Sequence, residues 1–256
     1  MRYPNGLFGW ADIMTRDPGR AIEFYEGLFG WTHVDQPTPM GPPYTQFFKD
    51  GKLVCGLSPM MPGVPESVGA FWNSYILVED ADAAAAAAEA AGGTVTMPPM
   101  DVMDQGRMAM LADPTGAAVG LWQPAAHEGA EVFNAPGSMT WNELQTRDID
   151  AALPFYEKVF GWEWADGPTP GYYVANIPAK EGDDKSNAGA MSMPPGVPDE
   201  APNLWMVYFA VEDCDTSMAA AEGLGGEIFL PAMQMGPGKF GGLVDPTGGM
   251  FLLGSF

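Results

Sequence analysis

The sequence predicts an α+β protein built by duplicating a domain, with two βαβββ modules in each copy. Three observations carry this. The stretch WADIMTRDPGRAIEFYEGLFGW, Trp10 to Trp31, returns as WNELQTRDIDAALPFYEKVFGW, Trp141 to Trp162. Later landmarks return in the same order. MPGVP from Met61 returns as PPGVP from Pro194, VED from Val78 as VED from Val211, and ADPTG from Ala112 as VDPTG from Val244. A spacing this long marks a doubled domain rather than a solenoid. Finally, within each copy the pattern passes twice from strand-like alternation to a helical face.

The elements follow in order. Residues 7–15 alternate and predict a strand. Asp17 then caps a helix with Pro18 at its first position. Ala21, Phe24, Tyr25 and Leu28 share one helical face, and Gly30 ends it. In the second copy Pro154 is tolerable only near the helix start, which makes Asp150 the candidate cap there. Strands are expected near 32–36, 44–49 and 52–58. WNSYILVED then reads as a strand, ADAAAAAAEAAGG as a helix, and three short strands run on to AAVGLWQP. Short turns between them make much of the sheet antiparallel. QPAAHEGAEVFNAPG, Gln123 to Gly137, is rich in turn-favouring residues and joins the copies. The expected domains are 1–124 and 138–256, with a linker at 125–137.

The chain has 256 residues, 46% hydrophobic and 17% charged, the profile of a globular protein with a sizeable core. Its net charge of -22 repels phosphate backbones and anionic bilayers, so neither nucleic acid nor membrane is an expected partner. A neutral or cationic small molecule fits better. No run approaches a membrane span, and the N-terminus lacks a leader pattern. Cys55 and Cys214 form no CxxC pair, and a reducing cytoplasmic setting is expected.

RDPGRAIEFYEGLFGW and RDIDAALPFYEKVFGW resemble the helix signature of the vicinal oxygen chelate superfamily. That superfamily holds glyoxalase I, bleomycin-resistance proteins, fosfomycin-resistance enzymes and extradiol dioxygenases. VEDADAA, VEDCDTS and the closing DPTG turns match it too, over nearly the whole chain. The nearest type is the two-domain, glyoxalase-like proteins of actinobacteria. The resemblance implies two cup-shaped, partly open barrels made from four βαβββ modules. It also implies a divalent metal held by His, Glu or Gln on the first and last strand of each module.

Counting along the matched motifs puts Trp10 and Trp141 at the first-strand ligand positions. Asn73 and Met206, Gly120 and Leu252, and Gly56 and Gly189 stand at the others. None is a good metal ligand. His127 falls in the linker and reads as a solvated surface residue. His33, alone at the start of a strand, reads as structural. The expected cofactor is none, and no residue is assigned to a metal.

Strand alternation identifies what faces the cups instead. Trp10, Asp12 and Met14 share one face, with Ala11 and Ile13 beneath the helix. Trp141, Glu143 and Gln145 share the corresponding face, with Leu144 beneath the helix. Asn73 and Tyr75 face one cup, Met206 and Tyr208 the other. A carboxylate in an aromatic-walled cavity is costly unless paired, and desolvation raises its pKa toward that of a general base. Asp12 and Glu143 are therefore the candidate bases, and Tyr75 and Tyr208 the candidate donors to an oxyanion. Trp10, Met14, Asn73, Trp122, Trp141, Gln145 and Met206 are the candidate ligand contacts. A structural alternative has the carboxylates bound to backbone amides, to Arg16 or to Arg147. Trp72, Trp205 and the 18 methionines add adaptable apolar surface, with core packing the favoured reading for most of them and only the cup-facing tryptophans kept as ligand contacts.

The reading taken forward is a small-molecule enzyme of this type with the usual metal site lost, catalysing an isomerisation, cyclisation or elimination. One alternative is a non-catalytic resistance protein that sequesters a drug. Another is a metal enzyme with displaced ligands such as Asp12, or Glu143 with Gln145. The duplication makes an internal pseudo-dimer, compatible with a monomer or a homodimer.

Overall fold

The computed structural model describes residues 3–39, 41–236 and 238–256. Met1 and Arg2, where the first expected domain opens, lie outside the described residues, as do Met40 and Pro237. The first module comprises β1 (Phe8–Thr15), α1 (Pro18–Phe29), β2 (Thr32–Gln36), β3 (Tyr44–Lys49) and β4 (Lys52–Pro59). The second comprises β5 (Phe71–Leu77), α2 (Ala81–Ala90), β6 (Thr94–Val102), β7 (Gly106–Ala112) and β8 (Ala118–Pro124). The second copy repeats both. Its third module is β9 (Met139–Thr146), α3 (Ile149–Phe160), β10 (Glu163–Asp166), β11 (Tyr172–Asn176) and β12 (Ser186–Ser192). Its fourth is β13 (Leu204–Ala210), α4 (Cys214–Gly223), β14 (Glu227–Met235), β15 (Gly238–Val244) and β16 (Met250–Ser255). This is the expected α+β architecture.

The strands form two open eight-stranded sheets, ordered β2-β3-β4-β1-β5-β8-β7-β6 and β10-β11-β12-β9-β13-β16-β15-β14. In each module the first strand pairs parallel with the last, as Asp12 with Gly56 and Tyr75 with Gly120. The second copy does the same with Glu143 and Gly189, and with Tyr208 and Leu252. The meander strands between them pair antiparallel.

Helix starts follow the capping rule. The Asp17 side chain accepts from the Arg20 amide, and Gly30 ends α1 at φ 65°. In α3 the cap is Asp148, which accepts from the Ala151 amide; Asp150 lies inside the first turn. That corrects the expectation placed on Asp150. Pro154 sits in the second turn on the exposed side, where water can serve the carbonyl left without a donor.

Packing divides the described chain into two compact units, each drawing on both sequence copies. One holds Ala11–Asn73, Ala130–Thr140 and Val207–Phe256. Its core sets Ala11 and Ile13 of β1 against Ala21, Phe24 and Tyr25 of α1, with Phe209, Met218 and Phe251. The other holds the chain through Trp10, Ser74–Gly129 and Trp141–Met206. Its core sets Leu144 against Ala152, Phe155 and Tyr156, with Ala85, Leu111 and Leu121.

Each core carries a buried polar chain. In the first, Trp72 Nε1 donates to the Tyr25 hydroxyl at 3.0 Å, and Tyr25 donates to Asp245 Oδ2 at 2.6 Å. Asp245 Oδ1 accepts from Thr247 N at 2.6 Å, Thr247 Oγ1 at 2.7 Å and Gly249 N at 3.1 Å. In the other, Trp205 donates to Tyr156 at 2.7 Å and Tyr156 to Asp113 Oδ2 at 2.9 Å. Asp113 Oδ1 closes the ADPTG turn through Thr115 and Ala117. Burial, and then the neighbouring carboxylate, push both tyrosines well above the ordinary phenol range, so both hold their protons. Trp72 and Trp205 thus serve the helix-packed cores, in line with the core packing expected for most of the tryptophans and methionines.

Removing one member orphans the others. Tyr25→Phe leaves the Trp72 indole and one Asp245 oxygen without their partner and is expected to cost about 2–4 kcal/mol in urea unfolding. Exposed substitutions in the same helix, such as Glu23→Gln, should stay within about 0.5 kcal/mol.

Candidate functional site

β1 presents Asp12 on the face away from α1, because its neighbours Ala11 and Ile13 fill the helix-facing core. Asp12 is buried, 6% exposed. Its Oδ2 accepts from the Tyr44 hydroxyl at 3.1 Å and its Oδ1 from Asn73 Nδ2 at 3.0 Å. Gly56 stands opposite Asp12 on β4. A β-carbon there would collide with the Tyr44 hydroxyl. Gly56 therefore leaves the space through which a phenol reaches the carboxylate.

The second copy repeats the device in the other unit. Glu143 on β9 is 5% exposed, and its Oε1 accepts from Gln145 Nε2 at 3.0 Å. Tyr172 on β11 hydrogen-bonds Glu143 and accepts from Trp141 Nε1 at 2.9 Å. Burial raises the Tyr172 phenol far above its ordinary range, and the Glu143 charge raises it further, so it remains a donor. Opposite Glu143 stands Gly189, where a β-carbon would collide with the Tyr172 hydroxyl and lie 2.8 Å from Trp141 Nε1.

The arginines offered as alternative partners point elsewhere. Arg16 donates to the Val64 and Pro65 carbonyls at 2.9 and 2.7 Å. Arg147 donates to the Ala201 and Pro198 carbonyls, each at 2.6 Å.

Trp10, Tyr75, Trp122, Met206 and Tyr208 are all buried, yet none belongs to either helix-facing core. Tyr75 lies over Gly120, and Tyr208 meets Phe240 edge-on at 6.0 Å. Met14, Trp141 and Gln145 are half-buried, and Asn73 is buried on Asp12. The phenols that reach the carboxylates are Tyr44 and Tyr172, which the sequence reading passed over. A signal existed. Each tyrosine lies two residues before the strand position opposite the glycine, Gln46 opposite Gly56 and Val174 opposite Gly189.

The donor set does not suit the divalent metal that the fold implies. Indole is a donor only and glycine has no side chain, so Trp10, Gly56, Trp141 and Gly189 offer no lone pair. Among the described residues no group of three or more His, Cys, Asp or Glu side chains is placed to hold a metal ion.

His127 departs from its expected place in solvent. Its ring stands edge-on to Trp10 with centroids 4.4 Å apart and tilted against Trp122 at 5.4 Å. Trp122 Nε1 donates to the His127 carbonyl at 2.9 Å, and the His127 amide donates to Gln105 at 3.0 Å. The linker is therefore folded against β8 and the β6–β7 turn. His127 Nε2 is shut off from solvent without a hydrogen-bond partner. Burial lowers its pKa from 6.5 to about 4, so the ring is neutral near pH 7. His33, as expected, is structural and pairs with Glu26 at 2.7 Å.

These features meet the comparisons with known proteins. The chain belongs to the Glyoxalase/Bleomycin resistance protein/Dioxygenase superfamily, matching it over residues 7–121 and again over 127–252. It is 42% identical over 257 residues to CFP32 of Mycobacterium tuberculosis (strain CDC 1551 / Oshkosh), provisionally named a glyoxylase, covering 97% of this chain and 94% of the relative. It is 38% identical over 266 residues to the anthracycline biosynthesis protein DnrV of Streptomyces peucetius, covering 98% and 93%. Its fold is like that of the Mn(II)-bound glyoxalase from Novosphingobium aromaticivorans, with a TM-score of 0.67 at 16% identity, covering 98% of this chain and 83% of that one.

Two outcomes are expected. Gly56→Ala should displace Tyr44 and cost about 1–3 kcal/mol in urea unfolding, but little in a Tyr44→Ala background, so the two changes are strongly non-additive. The lowered His127 pKa means the unfolded chain binds the proton more tightly. Stability from this residue is complete above pH 6.5 and is lost as pH falls toward 4, by about 3 kcal/mol in all. His127→Gln should flatten the urea midpoint against pH in that window.

Proposed function

We propose that this protein is an enzyme acting on a small secondary metabolite by proton transfer, with a carboxylate–phenol pair in the place of the family's metal. The observation that carries this reading is the duplicated pair, Asp12 with Tyr44 and Glu143 with Tyr172, each set against a glycine at a ligand position. The names of DnrV and DauV, anthracycline biosynthesis proteins 38% and 36% identical to this chain, support a secondary-metabolite substrate.

The carboxylate takes a proton from the substrate, and its hydrogen-bonded tyrosine keeps it oriented. Tyr172, which holds its proton, donates to Glu143 or to an oxygen on which charge develops. That inventory suits isomerisation, cyclisation or elimination. Tyr75 and Tyr208 remain candidates for the oxyanion contact, with Met14, Met206 and Trp141 as walls. We place the protein in the cytoplasm, with Cys55 and Cys214 both free and buried, as a monomer or homodimer. No helix is long and apolar enough to cross a membrane among the described residues.

The test is turnover of anthraquinone-type metabolites with and without a chelator, followed by mass spectrometry, alongside elemental analysis of untagged protein. Turnover should survive the chelator and fall about 10²–10⁴-fold in Asp12→Asn or Glu143→Gln variants that still fold. Turnover that requires a stoichiometric metal would overturn the reading. Tight binding with no product would favour a sequestering protein instead.

A further inference from the structure

The indole–phenol–carboxylate order that ties the two cores recurs at the candidate site of the second copy. Trp141 Nε1 donates to the Tyr172 hydroxyl at 2.9 Å, and Tyr172 hydrogen-bonds Glu143. Register brings the three together. Trp141 precedes Glu143 by two residues on β9 and so shares its strand face. Gly189 on β12 stands opposite Glu143, and Val174 on β11, two residues after Tyr172, stands opposite Gly189.

The setting differs from that of the cores. Trp72, Tyr25, Trp205 and Tyr156 are buried, and the aspartate at the end of each chain closes its own turn. Trp141 and Tyr172 are only half-buried, and Glu143 lies within a strand, where Gln145 supplies a further donor. Water can serve a half-buried indole, so burial alone does not demand the bond from Trp141 to Tyr172. What that bond does is fix a direction. Indole N–H is a donor only, whereas a phenol has one hydrogen to give and can also accept. With Trp141 donating to its oxygen, Tyr172 turns its single hydrogen to Glu143. Each bond polarises the next, so a phenol that accepts from Trp141 is a stronger donor to the carboxylate. Burial, and then the Glu143 charge, keep the hydrogen on the phenol against the opposite pull of the Trp141 bond.

We infer that Trp141 is a positioning residue: its indole N–H locks the Tyr172 phenol with the hydrogen turned onto Glu143, and thereby orients the carboxylate that receives the substrate proton. The inference rests on the proton-transfer reading above. It gives Trp141 a role that the ring does not need as a wall. Phenylalanine at this position would keep much of the wall and lose the role.

The test uses the full chain with ¹⁵N-labelled indoles. The Trp141 indole resonance, assigned through its backbone in wild type, should move when Glu143→Gln removes the charge at the far end of the chain of bonds. In a Tyr172→Phe background the same substitution should leave it in place, because the link is gone. Turnover gives a second readout. Trp141→Phe should lower kcat about 3–10-fold, the worth of one hydrogen bond, with KM unchanged. Loss of a mere wall would instead raise KM with kcat unchanged. Because Trp141→Phe can fail to fold, the indole measurement, which keeps Trp141, stands by itself. A resonance indifferent to Glu143→Gln, one that moves as far without Tyr172 as with it, or a Trp141→Phe enzyme changed only in KM would each overturn the inference. If any of these occurs while turnover still depends on Glu143, the proton-transfer reading stands and only the role of Trp141 is lost. If the resonance responds through Tyr172 while wild type turns over no metabolite, the lock on Tyr172 stands and the proton-transfer reading alone is lost.

Discussion

Much of this architecture depends on a short chain of buried hydrogen bonds, indole to phenol to carboxylate, made once in each packing unit. Tyr25 reaches Asp245, and Tyr156 reaches Asp113, across more than forty residues of sequence in one case and more than two hundred in the other. Each aspartate divides its labour. One oxygen shapes its own turn, and the other anchors a helix from the opposite copy. Unsatisfied, these groups would oppose burial of the aromatic cores around them; satisfied, they select one partner for each helix. The same bonds explain why the helix motif carries FYE and the closing turn carries DPTG. The landmarks that reveal the duplication are the two ends of one contact.

With the helix faces committed to the cores, alternation along β1 and β9 sends Asp12 and Glu143 the other way. Each carboxylate is desolvated and supplied with neutral donors, Tyr44 and Asn73 for one, Gln145 and Tyr172 for the other. Each carboxylate is thus held inside the protein by hydrogen bonding.

The fold was readable because its signals are local and appear twice. Caps, helix faces, the turn aspartates and the order of strands all follow from residues close in sequence. Asp12, Glu143 and Asn73 were reachable by alternation alone. Tyr44 and Tyr172 were not, because their reach to the carboxylates depends on antiparallel register between β3 and β4, and between β11 and β12, which is invisible until a strand is paired. Asp148 was displaced in the reading by Pro154, whose cost fell once its side of the helix proved exposed. His127 was misplaced for another reason. Its segment is rich in small and turn-favouring residues and looks like a loose tether, whereas three backbone bonds fold it onto the Asp104–Gln105 turn.

Gly56 and Gly189 tie each carboxylate site to a second strand. The volume beside each carboxylate holds a tyrosine hydroxyl and leaves no room for a side chain on the glycine opposite. A β-carbon at Gly56 meets Tyr44, and one at Gly189 meets Tyr172, so neither member of a pair changes freely without the other. Glycine and tyrosine therefore behave as one inherited unit, and altering this spot takes two coupled substitutions.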